Sequence, residues 1–441
     1  MSQKPGLKKD LNLLAGMALV VGMVIGSGIF MKPGKVIAAA GDSTMALIAW
    51  GIGGMITIAA GLTVAELGAQ ILRTGGLYAY LDEVYGKIWG YLFGWVQTLI
   101  YGPATTGALG LYFSSLLLPF FSLPSTWKLP VAIMAVGFLA GVNALGAKYG
   151  GFIQSVSTVA KLVPIVLIAV FGLWKGNGQI LSMPGGAAEA AGMGAAVLAT
   201  LWAYDGWINV SFVAGEMKNP ARELPRSIIL GLGIVMIAYL AVNTALLHLL
   251  PAAEIALLGN RAAGTAAGLL FGEMGGRLIS VGILISIFGA LNGYILTGAR
   301  VPYAMAQDGL LPGAKFLGQA HKKSGAPANA LLLGFLLATA LMTLGDPDRL
   351  TDMAMFIVWI FYILAFAAVF ILRKRNPDAK RPYSVPGYPV IPAVAIVGSV
   401  YIAFSMLTNS PGDAVWALAI TLTGIPVYLL LPKMNSARDK S

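Results

Sequence analysis

The sequence predicts an all-α integral membrane protein in which twelve helices cross the bilayer and two of them are broken. Of its 441 residues, 58% are hydrophobic and only 11% are charged, whereas a soluble domain carries roughly 25% charged residues. Apolar stretches of about 20 residues, the length that crosses a bilayer, recur along the whole chain. Two of these stretches are interrupted, one at Gly26-Ser27-Gly28 and the other at Tyr204-Asp205-Gly206.

The apolar stretches are numbered here as helix 1 to helix 12 in chain order. Lys4, Lys8 and Lys9 lead directly into the first of them, which is too long for the apolar region of a signal peptide, so we expect no cleaved leader. The predicted helices cover 11–37, 43–70, 85–118, 129–147, 149–173, 191–215, 225–250, 272–305, 326–345, 351–372, 388–408 and 412–432.

The positive charges predict that both chain termini lie in the cytoplasm. With that orientation, the lysines and arginines outside the helices divide roughly three to one in favour of the cytoplasmic side, as the positive-inside rule requires. The net charge of +11 lies on segments that flank the helices, where it favours contact with anionic lipids. We therefore expect the lipid bilayer, and no nucleic acid, as a partner.

Residue types that support several other functions are scarce or absent. The sequence has no cysteine and two histidines, His248 and His321, which excludes structural disulfides and thiolate metal sites and disfavours an intramembrane metal cluster. We predict neither a metal nor another cofactor. A membrane-embedded enzyme would need a nucleophile beside a base, or metal ligands, within the bilayer, and the sequence predicts no such group near the midplane.

The break in helix 1 predicts a binding site for a carboxylate. An unwound stretch survives in hydrocarbon only where it lines a protein cavity, because unpaired backbone groups are costly there. Glycine permits the turn, and the helix that restarts at Gly28 directs its N–H groups and positive dipole end toward the break. Ser27 adds a hydroxyl donor. The alternative is close packing of two helices on Gly26 and Gly28.

The break in helix 6 predicts the complementary site for an ammonium group. The segment before Asp205 ends with carbonyl groups that have no intrahelical partner, and these suit a cation. Two such breaks in matching halves are typical of the substrate site of a secondary transporter. Trp202, Tyr204 and Trp207 flank the break. Trp202 is predicted to cover bound substrate as a gate, with packing between helices as the alternative.

Two ionisable residues are predicted within the membrane, where such residues are functional by default. Asp205 would contact the substrate ammonium, carry a proton, or cap the segment of helix 6 that follows it. Lys161 lies about eleven residues into helix 5, about 16 Å deep at 1.5 Å per residue. Carbonyl groups freed by the helix 1 break are its natural partners, so its ammonium would brace helix 1 in place of a bound sodium ion. Proton transfer by Lys161 is the alternative.

Helix 8 contributes two further candidates. Phe288 and Asn292 are about one turn apart and lie near the predicted midplane. Both are candidate substrate-binding residues, with packing inside the bundle as the simpler interpretation of each.

Four stretches of the sequence together resemble the amino acid–polyamine–organocation superfamily. A fifth stretch, Ala160-Lys161-Leu162, resembles its L-type amino acid transporter branch. The chain as a whole resembles the bacterial serine/threonine exchangers of that branch and the bacterial alanine–serine–cysteine exchangers. The similarity extends over essentially all twelve helices. The four stretches are Gly26-Ser27-Gly28-Ile29-Phe30, Thr74-Gly75-Gly76-Leu77-Tyr78, Trp202-Ala203-Tyr204-Asp205-Gly206-Trp207 and Gly215-Glu216-Met217-Lys218-Asn219-Pro220.

This resemblance implies the leucine-transporter fold and sodium-independent exchange of neutral amino acids. Residues 1–441 would form one transmembrane domain, in which an inverted repeat covers about 11–173 and about 191–372, and helices 11 and 12 follow at about 388–432. The resemblance also implies roles for single residues. By this resemblance, Gly26, Ser27 and Gly28 would bind the substrate carboxylate, and Trp202, Ala203 and Tyr204 would bind its ammonium group. Lys161 would brace helix 1, and Trp202 would also act as the gate.

The chain departs from the animal members of that branch in three ways. Trp202 stands where those members usually have phenylalanine, and Asp205 stands where they have glycine. Animal members are linked to a glycoprotein through a cysteine between helices 3 and 4, and this sequence has no cysteine, so no such partner is expected. Two other functions stay open on the same fold. One is a proton-coupled symporter using Lys161 and Asp205, and the other is an antiporter of cationic amino acids or polyamines.

Overall fold

The computed structural model describes residues 12–73, 75–180, 192–344, 346–409 and 411–438. Within these ranges the chain folds into helices joined by turns and short irregular connections. Nine of the described segments are long and apolar enough to cross a membrane, and two further apolar helices are shorter. An all-helical, multi-pass architecture is therefore confirmed, while the count of twelve crossings stays a prediction. Lys4, Lys8, Lys9, Thr74 and the predicted first residues of helices 1 and 6 lie outside the described residues.

The helices keep the numbers of the predicted stretches that they occupy. Short helices between them are Leu77–Tyr85, Ala252–Leu258, Arg300–Gln307 and Ala314–Leu317. Helix 1 comprises Leu13–Val24, Gly28–Met31 and Pro33–Ala40, helix 2 Ser43–Gln70, helix 3 Lys87–Val96, Gln97–Tyr101 and Gly102–Leu117, helix 4 Lys128–Leu145, helix 5 Ala147–Lys175, helix 6 Met193–Tyr204 and Trp207–Glu216, helix 7 Pro220–Leu249, helix 8 Ala262–Gly298, helix 9 Ala328–Met342, helix 10 Pro347–Arg375, helix 11 Val390–Asn409 and helix 12 Pro411–Arg438.

Helices 1 and 6 are interrupted at the glycine-containing stretches. Helix 1 stops at Val24 and restarts at Gly28. Helix 6 stops at Tyr204, and Gly206 then adopts a φ of 104°, a left-handed conformation that glycine reaches without steric cost. The segment Trp207–Glu216 is a 3₁₀-helix rather than the predicted α-helix. It begins with the Asn209 N–H bonded to the Gly206 carbonyl three residues back, which is the 3₁₀ pattern.

Helix 8 differs from its prediction at both ends. It begins at Ala262 rather than at residue 272, and Gly272 interrupts it with a φ of 72°. It ends at Gly298, and Arg300–Gln307 forms a separate helix. The prediction started at residue 272 because the apolar pattern alone does not distinguish a short helix before a glycine from a loop.

Helix 3 contains a wider turn close to the helix 6 break. Residues Gln97–Tyr101 form a π-helix, and Pro103 follows. Proline has no N–H, and its ring crowds the carbonyl four residues before it, so the α-helical bond to Leu99 cannot form. Such π turns occur frequently at functional sites. Here the turn directs the Tyr101 hydroxyl onto Asp205.

Glycines bring helix 7 against helices 1 and 2. A Cβ atom at Gly61 of helix 2 would lie 2.7 Å from a methyl carbon of Leu232, and one at Gly231 would lie 2.6 Å from Val20 of helix 1. Small residues at these contacts allow the backbones to approach closely, as in other membrane helix pairs. Helix 7 therefore lies against the inner segment of helix 1, where it positions Tyr239.

A buried ion pair connects helix 2 to the end of helix 10. Glu66 is fully buried and accepts hydrogen bonds from two nitrogens of Arg373, at 2.9 and 2.7 Å. The backbone N–H of Val385 donates to the same carboxylate at 2.7 Å. Because a buried charge without its partner is strongly destabilising, these bonds fix the connection after helix 10 against helix 2.

Candidate functional site

Lys161 binds the carbonyl groups that the helix 1 break leaves free. Its ammonium donates to the carbonyl oxygen of Gly22 at 2.6 Å and to that of Ile25 at 2.7 Å. The side chain is fully buried. The last carbonyls of a helix have no intrahelical donor, and a buried charge needs paired contacts. The lysine and the break therefore stabilise each other.

A tyrosine of helix 7 connects the two breaks. The Tyr239 hydroxyl lies 2.8 Å from the carbonyl oxygen of Val24 in helix 1 and 2.7 Å from that of Ala203 in helix 6. A hydroxyl has one proton to donate. The Val24 carbonyl also accepts the Gly26 N–H at 2.8 Å. When Tyr239 donates to Val24, the Ala203 carbonyl therefore keeps a free acceptor position and can bind a further donor such as an ammonium group.

Helices 1 and 6 touch each other where they are broken. A Cβ atom at Gly28 would lie 2.5 Å from the Cα atom of Ala203 and 2.6 Å from its Cβ atom, so only glycine fits. Ser27 precedes Gly28 and is 2% exposed. The first N–H groups of a helix have no intrahelical acceptor, so the segment that starts at Gly28 presents donors at the break.

A cavity lies between the two breaks. Predicted site residues in its lining are Gly26, Ser27, Gly28, Trp202, Ala203 and Asp205.

Asp205 is enclosed by the hydroxyl groups of three tyrosines. Tyr101 and Tyr294 donate to Oδ2 at 2.5 and 3.2 Å, and Tyr362 donates to Oδ1 at 3.4 Å. These tyrosines come from helices 3, 8 and 10, so the carboxyl group joins the helix 6 break to three other helices. Gly206, which has no side chain, occupies the N-cap position of the segment that follows, so Asp205 is not itself the N-cap residue of that segment.

Trp202 lies between the cavity and Lys32. Its ring lines the cavity and is 9% exposed. The Lys32 ammonium lies 5.8 Å from the centroid of the ring, within the range of about 6 Å for a cation–π interaction. Both residues belong to the segments of helices 1 and 6 that the orientation rule predicts on the outer side.

Tyr204 and Phe288 lie outside the lining of this cavity. The Tyr204 ring packs against Tyr239 with centroids 4.9 Å apart, and its hydroxyl donates to the Trp50 carbonyl at 3.2 Å. The Phe288 ring packs against Phe113 with centroids 5.5 Å apart. Both side chains contribute to packing around the site, which for Phe288 was the simpler interpretation.

Asn292 is also outside the cavity lining. Its amide nitrogen donates to the Gly150 carbonyl at 2.9 Å and to Gln154 at 3.2 Å, and its amide oxygen accepts from Asn143 at 2.9 Å. A buried amide needs such partners wherever it lies. These partners come from helices 4 and 5, so Asn292 joins helix 8 to them.

Several residues at the site were missed in the sequence analysis. They are Tyr239, the three tyrosines around Asp205, and Ser286, whose hydroxyl lies 3.3 and 3.2 Å from the carbonyl oxygens of Ile25 and Gly26. Each is a single polar residue in an apolar helix without a motif. Their partners are distant in sequence, so only the packing of the helices identifies them.

The chain is similar to known proteins over nearly its whole length. A family model described as amino acid permease matches residues 11–431. The chain is 50% identical over 432 residues to the serine/threonine exchanger SteT of Bacillus subtilis (strain 168), covering 98% of this chain and 99% of SteT. It is 30% identical to human b(0,+)-type amino acid transporter 1, covering 97% of this chain and 90% of that protein. It is 31% identical to the human cystine/glutamate transporter, covering 97% and 86%.

All three relatives are named as transporters or exchangers, and none as an enzyme. The family match and the identities extend over nearly the whole chain. Together with the apolar helices, they establish that this multi-pass membrane protein belongs to the amino acid permease family.

Proposed function

We propose that the protein exchanges small neutral L-amino acids, such as serine, threonine and alanine, across the cytoplasmic membrane without sodium. The 50% identity to the exchanger SteT over 98% of the chain supports this class of transport. Both termini would lie in the cytoplasm. Because the sequence has no cysteine, a disulfide-linked glycoprotein subunit is not part of the proposal.

The Lys161 ammonium is the observation that carries the proposal. In transporters with broken helices, unwound carbonyl groups coordinate the coupling cation. Here the Lys161 ammonium donates hydrogen bonds to the carbonyl oxygens of Gly22 and Ile25, at 2.6 and 2.7 Å. The ammonium stabilises the break in the state described here without a bound sodium ion. The gradient of the substrate itself then drives transport, which favours exchange.

The two breaks together provide a receptor for a zwitterion. The N–H groups that follow Ser27, with its hydroxyl, are the proposed carboxylate site. The Ala203 carbonyl is the proposed ammonium site. The Tyr239 hydroxyl lies near both this carbonyl and that of Val24, but its single proton can bind only one of them at a time. Trp202 would open and close the outer side of the site.

The proposal includes twelve crossings with an inverted repeat and alternating access. Helices 1–5 would form one unit and helices 6–10 the other, with helices 11 and 12 added. The interruption of the first helix in each unit supports this arrangement, since broken helices in corresponding positions of two repeats are typical of such transporters.

Uptake of labelled L-serine into proteoliposomes in sodium-free buffer tests the proposal. We expect uptake into vesicles that contain unlabelled serine and little uptake into empty vesicles. Equal uptake into both would contradict exchange. Uptake that needs an inward proton gradient would instead support a symporter, for which the buried Asp205 carboxyl and its three tyrosine hydroxyls are the observed candidate proton site.

Replacing Tyr239 by phenylalanine is expected to reduce serine exchange about tenfold, because two buried carbonyl groups lose their shared donor. The ring and its packing against Tyr204 and Trp50 are retained, so the protein should still fold. Initial uptake rates in preloaded proteoliposomes measure the effect. Tyr91→Phe is the matched control, because the Tyr91 hydroxyl is buried and has no hydrogen-bond partner within the described part of the chain. A wild-type rate in Tyr239→Phe would remove this hydroxyl from the proposed site.

A further inference from the structure

A line of polar side chains runs along helix 5 from Lys161 toward the beginning of that helix. Thr158 and Gln154 precede Lys161 by about one and two turns and are 6% and 3% exposed. Asn143 of helix 4, 2% exposed, continues the line, because it donates to Asn292, which in turn donates to Gln154. We call Thr158, Gln154 and Asn143 the polar line. The proposed transport mechanism uses none of these three residues.

Each residue of the polar line has a buried polar atom that finds no hydrogen-bond partner among the residues that the structure describes. These atoms are Thr158 Oγ1, Gln154 Nε2 and Asn143 Oδ1. The orientation of the Gln154 amide is fixed by its Oε1 atom, which accepts a hydrogen bond from Asn292 at 3.2 Å. Unpaired buried polar groups are costly, and native proteins keep few of them. Their presence along one line suggests that they find partners in another state of the protein.

The inner segment of helix 1 covers two residues of the polar line, Thr158 and Gln154, through a single glycine. A Cβ atom at Gly22 would lie 2.4 Å from Thr158 Oγ1 and 2.6 Å from Gln154 Nε2. Glycine thus lets helix 1 lie directly on both unpaired atoms. The segment ends at the break, where Lys161 and Tyr239 bind its last carbonyls. A movement of this segment away from helix 5 would expose Thr158 and Gln154 together.

We propose that the polar line is a second binding site for the transported amino acid, used when the inner segment of helix 1 has moved away from helix 5. This inference rests on the exchange function proposed above. Gln154 Nε2 is a donor, Asn143 Oδ1 is an acceptor, and the Thr158 hydroxyl is both. Uncharged groups of this kind bind the carboxylate and the ammonium of a zwitterion without selecting a net charge.

The direction of the line identifies the side on which the site acts. From Lys161 to Gln154 the line extends about 10 Å along the helix axis, away from the central cavity and toward the predicted cytoplasmic end of helix 5. An amino acid leaving the central site toward the cytoplasm would meet Thr158 first and Gln154 next. The site therefore belongs to the cytoplasmic half of the transport path.

Thr158→Val tests the inference, because valine has the shape of threonine and removes only the unpaired hydroxyl. We expect the KM for serine at the cytoplasmic face to rise about fivefold, because a typical hydrogen bond changes a binding constant by about that factor. The KM at the outer face should stay unchanged. Right-side-out and inside-out membrane vesicles from the same cells separate the two faces. The Tm should not fall, because the hydroxyl has no partner to lose in the structure described here. Gln154→Leu should raise the cytoplasmic KM in the same way.

Thr339→Val is the matched control, because the Thr339 hydroxyl is also unpaired but lies in helix 9. It should leave both KM values unchanged. Unchanged or equally raised KM values at both faces in Thr158→Val and Gln154→Leu would overturn the second site and leave the exchange function intact. Absence of serine exchange in the wild-type protein would overturn the proposed function, and the second site with it.

Discussion

Replacing Lys161 by alanine is expected to reduce serine exchange about a hundredfold or more, because two hydrogen bonds from a charged donor are each worth about 1.5–3 kcal/mol. The carbonyl groups of Gly22 and Ile25 would lose that donor, and the unwound stretch of helix 1 would lose its fixed position. The substitution also removes the cost of burying a charge, so stability should fall less than transport. Uptake rates in preloaded proteoliposomes and Tm in detergent measure the two effects.

Lys175→Ala is the control for this variant. Lys175 is the last residue of helix 5 and its side chain is exposed, so replacing it should leave exchange unchanged. Arginine at position 161 would keep the charge but not fit the same contacts, because its planar guanidinium is larger and has a fixed geometry. Wild-type exchange by Lys161→Ala would exclude the ammonium from the transport mechanism.

Replacing Gly28 by alanine is expected to reduce exchange at least about tenfold, because overpacking of this kind costs about 1–3 kcal/mol. The new methyl group would lie 2.5 Å from the Cα atom of Ala203, and backbone cannot move aside as a flexible side chain can. Helices 1 and 6 would have to separate where the proposed carboxylate and ammonium sites meet. Serine affinity, measured by displacement of labelled serine from purified protein, should fall together with the exchange rate.

Gly51→Ala provides a control with the same chemical change. Gly51 lies within helix 2, and a Cβ atom there would have no atom within 4 Å. Alanine also favours a helix over glycine, so this variant should be as stable as the wild type and equally active. Equal serine affinity in Gly28→Ala and Gly51→Ala would mean that the contact between the breaks does not shape the binding site.

The positions of the two breaks could be predicted because their signal is local. A glycine pair around Ser27, or Asp205 followed by Gly206, is out of place in an apolar membrane helix. The partner of Lys161 followed from the same reasoning, since a buried ammonium needs acceptors and the nearest break supplies them. These inferences need only the chemistry of neighbouring residues and the dimensions of the bilayer.

The contacts between helices could not be predicted in this way. Nothing in the sequence around Tyr239 indicates that its hydroxyl reaches two carbonyl groups on different helices, because that depends on how close Gly231 brings helix 7 to helix 1. The three tyrosines around Asp205 lie on helices 3, 8 and 10, far apart in sequence. Phe288 and Asn292 were assigned to the pocket by depth alone, and depth does not determine the direction in which a side chain points.

The type of helix could not be predicted from the sequence in two segments. The 3₁₀ winding of Trp207–Glu216 and the π turn at Gln97–Tyr101 depend on single hydrogen bonds, and hydrophobic periodicity does not resolve them. The turn before Pro103 determines which face of helix 3 carries Tyr101 toward Asp205. The sequence therefore predicts where the site lies along the chain, but the side chains that surround it are known only from the folded structure.

The most direct test of the fixed-cation mechanism is the exchange ratio measured with two labels. Proteoliposomes loaded with tritiated serine are placed in sodium-free buffer containing carbon-14 serine, with no proton gradient, and both labels are followed. The mechanism predicts that one serine leaves for each serine that enters, and that added sodium or a proton gradient leaves this ratio and the rate unchanged. Net accumulation of serine driven by either ion would show that a mobile cation couples transport, and would contradict a permanent ammonium at the helix 1 break.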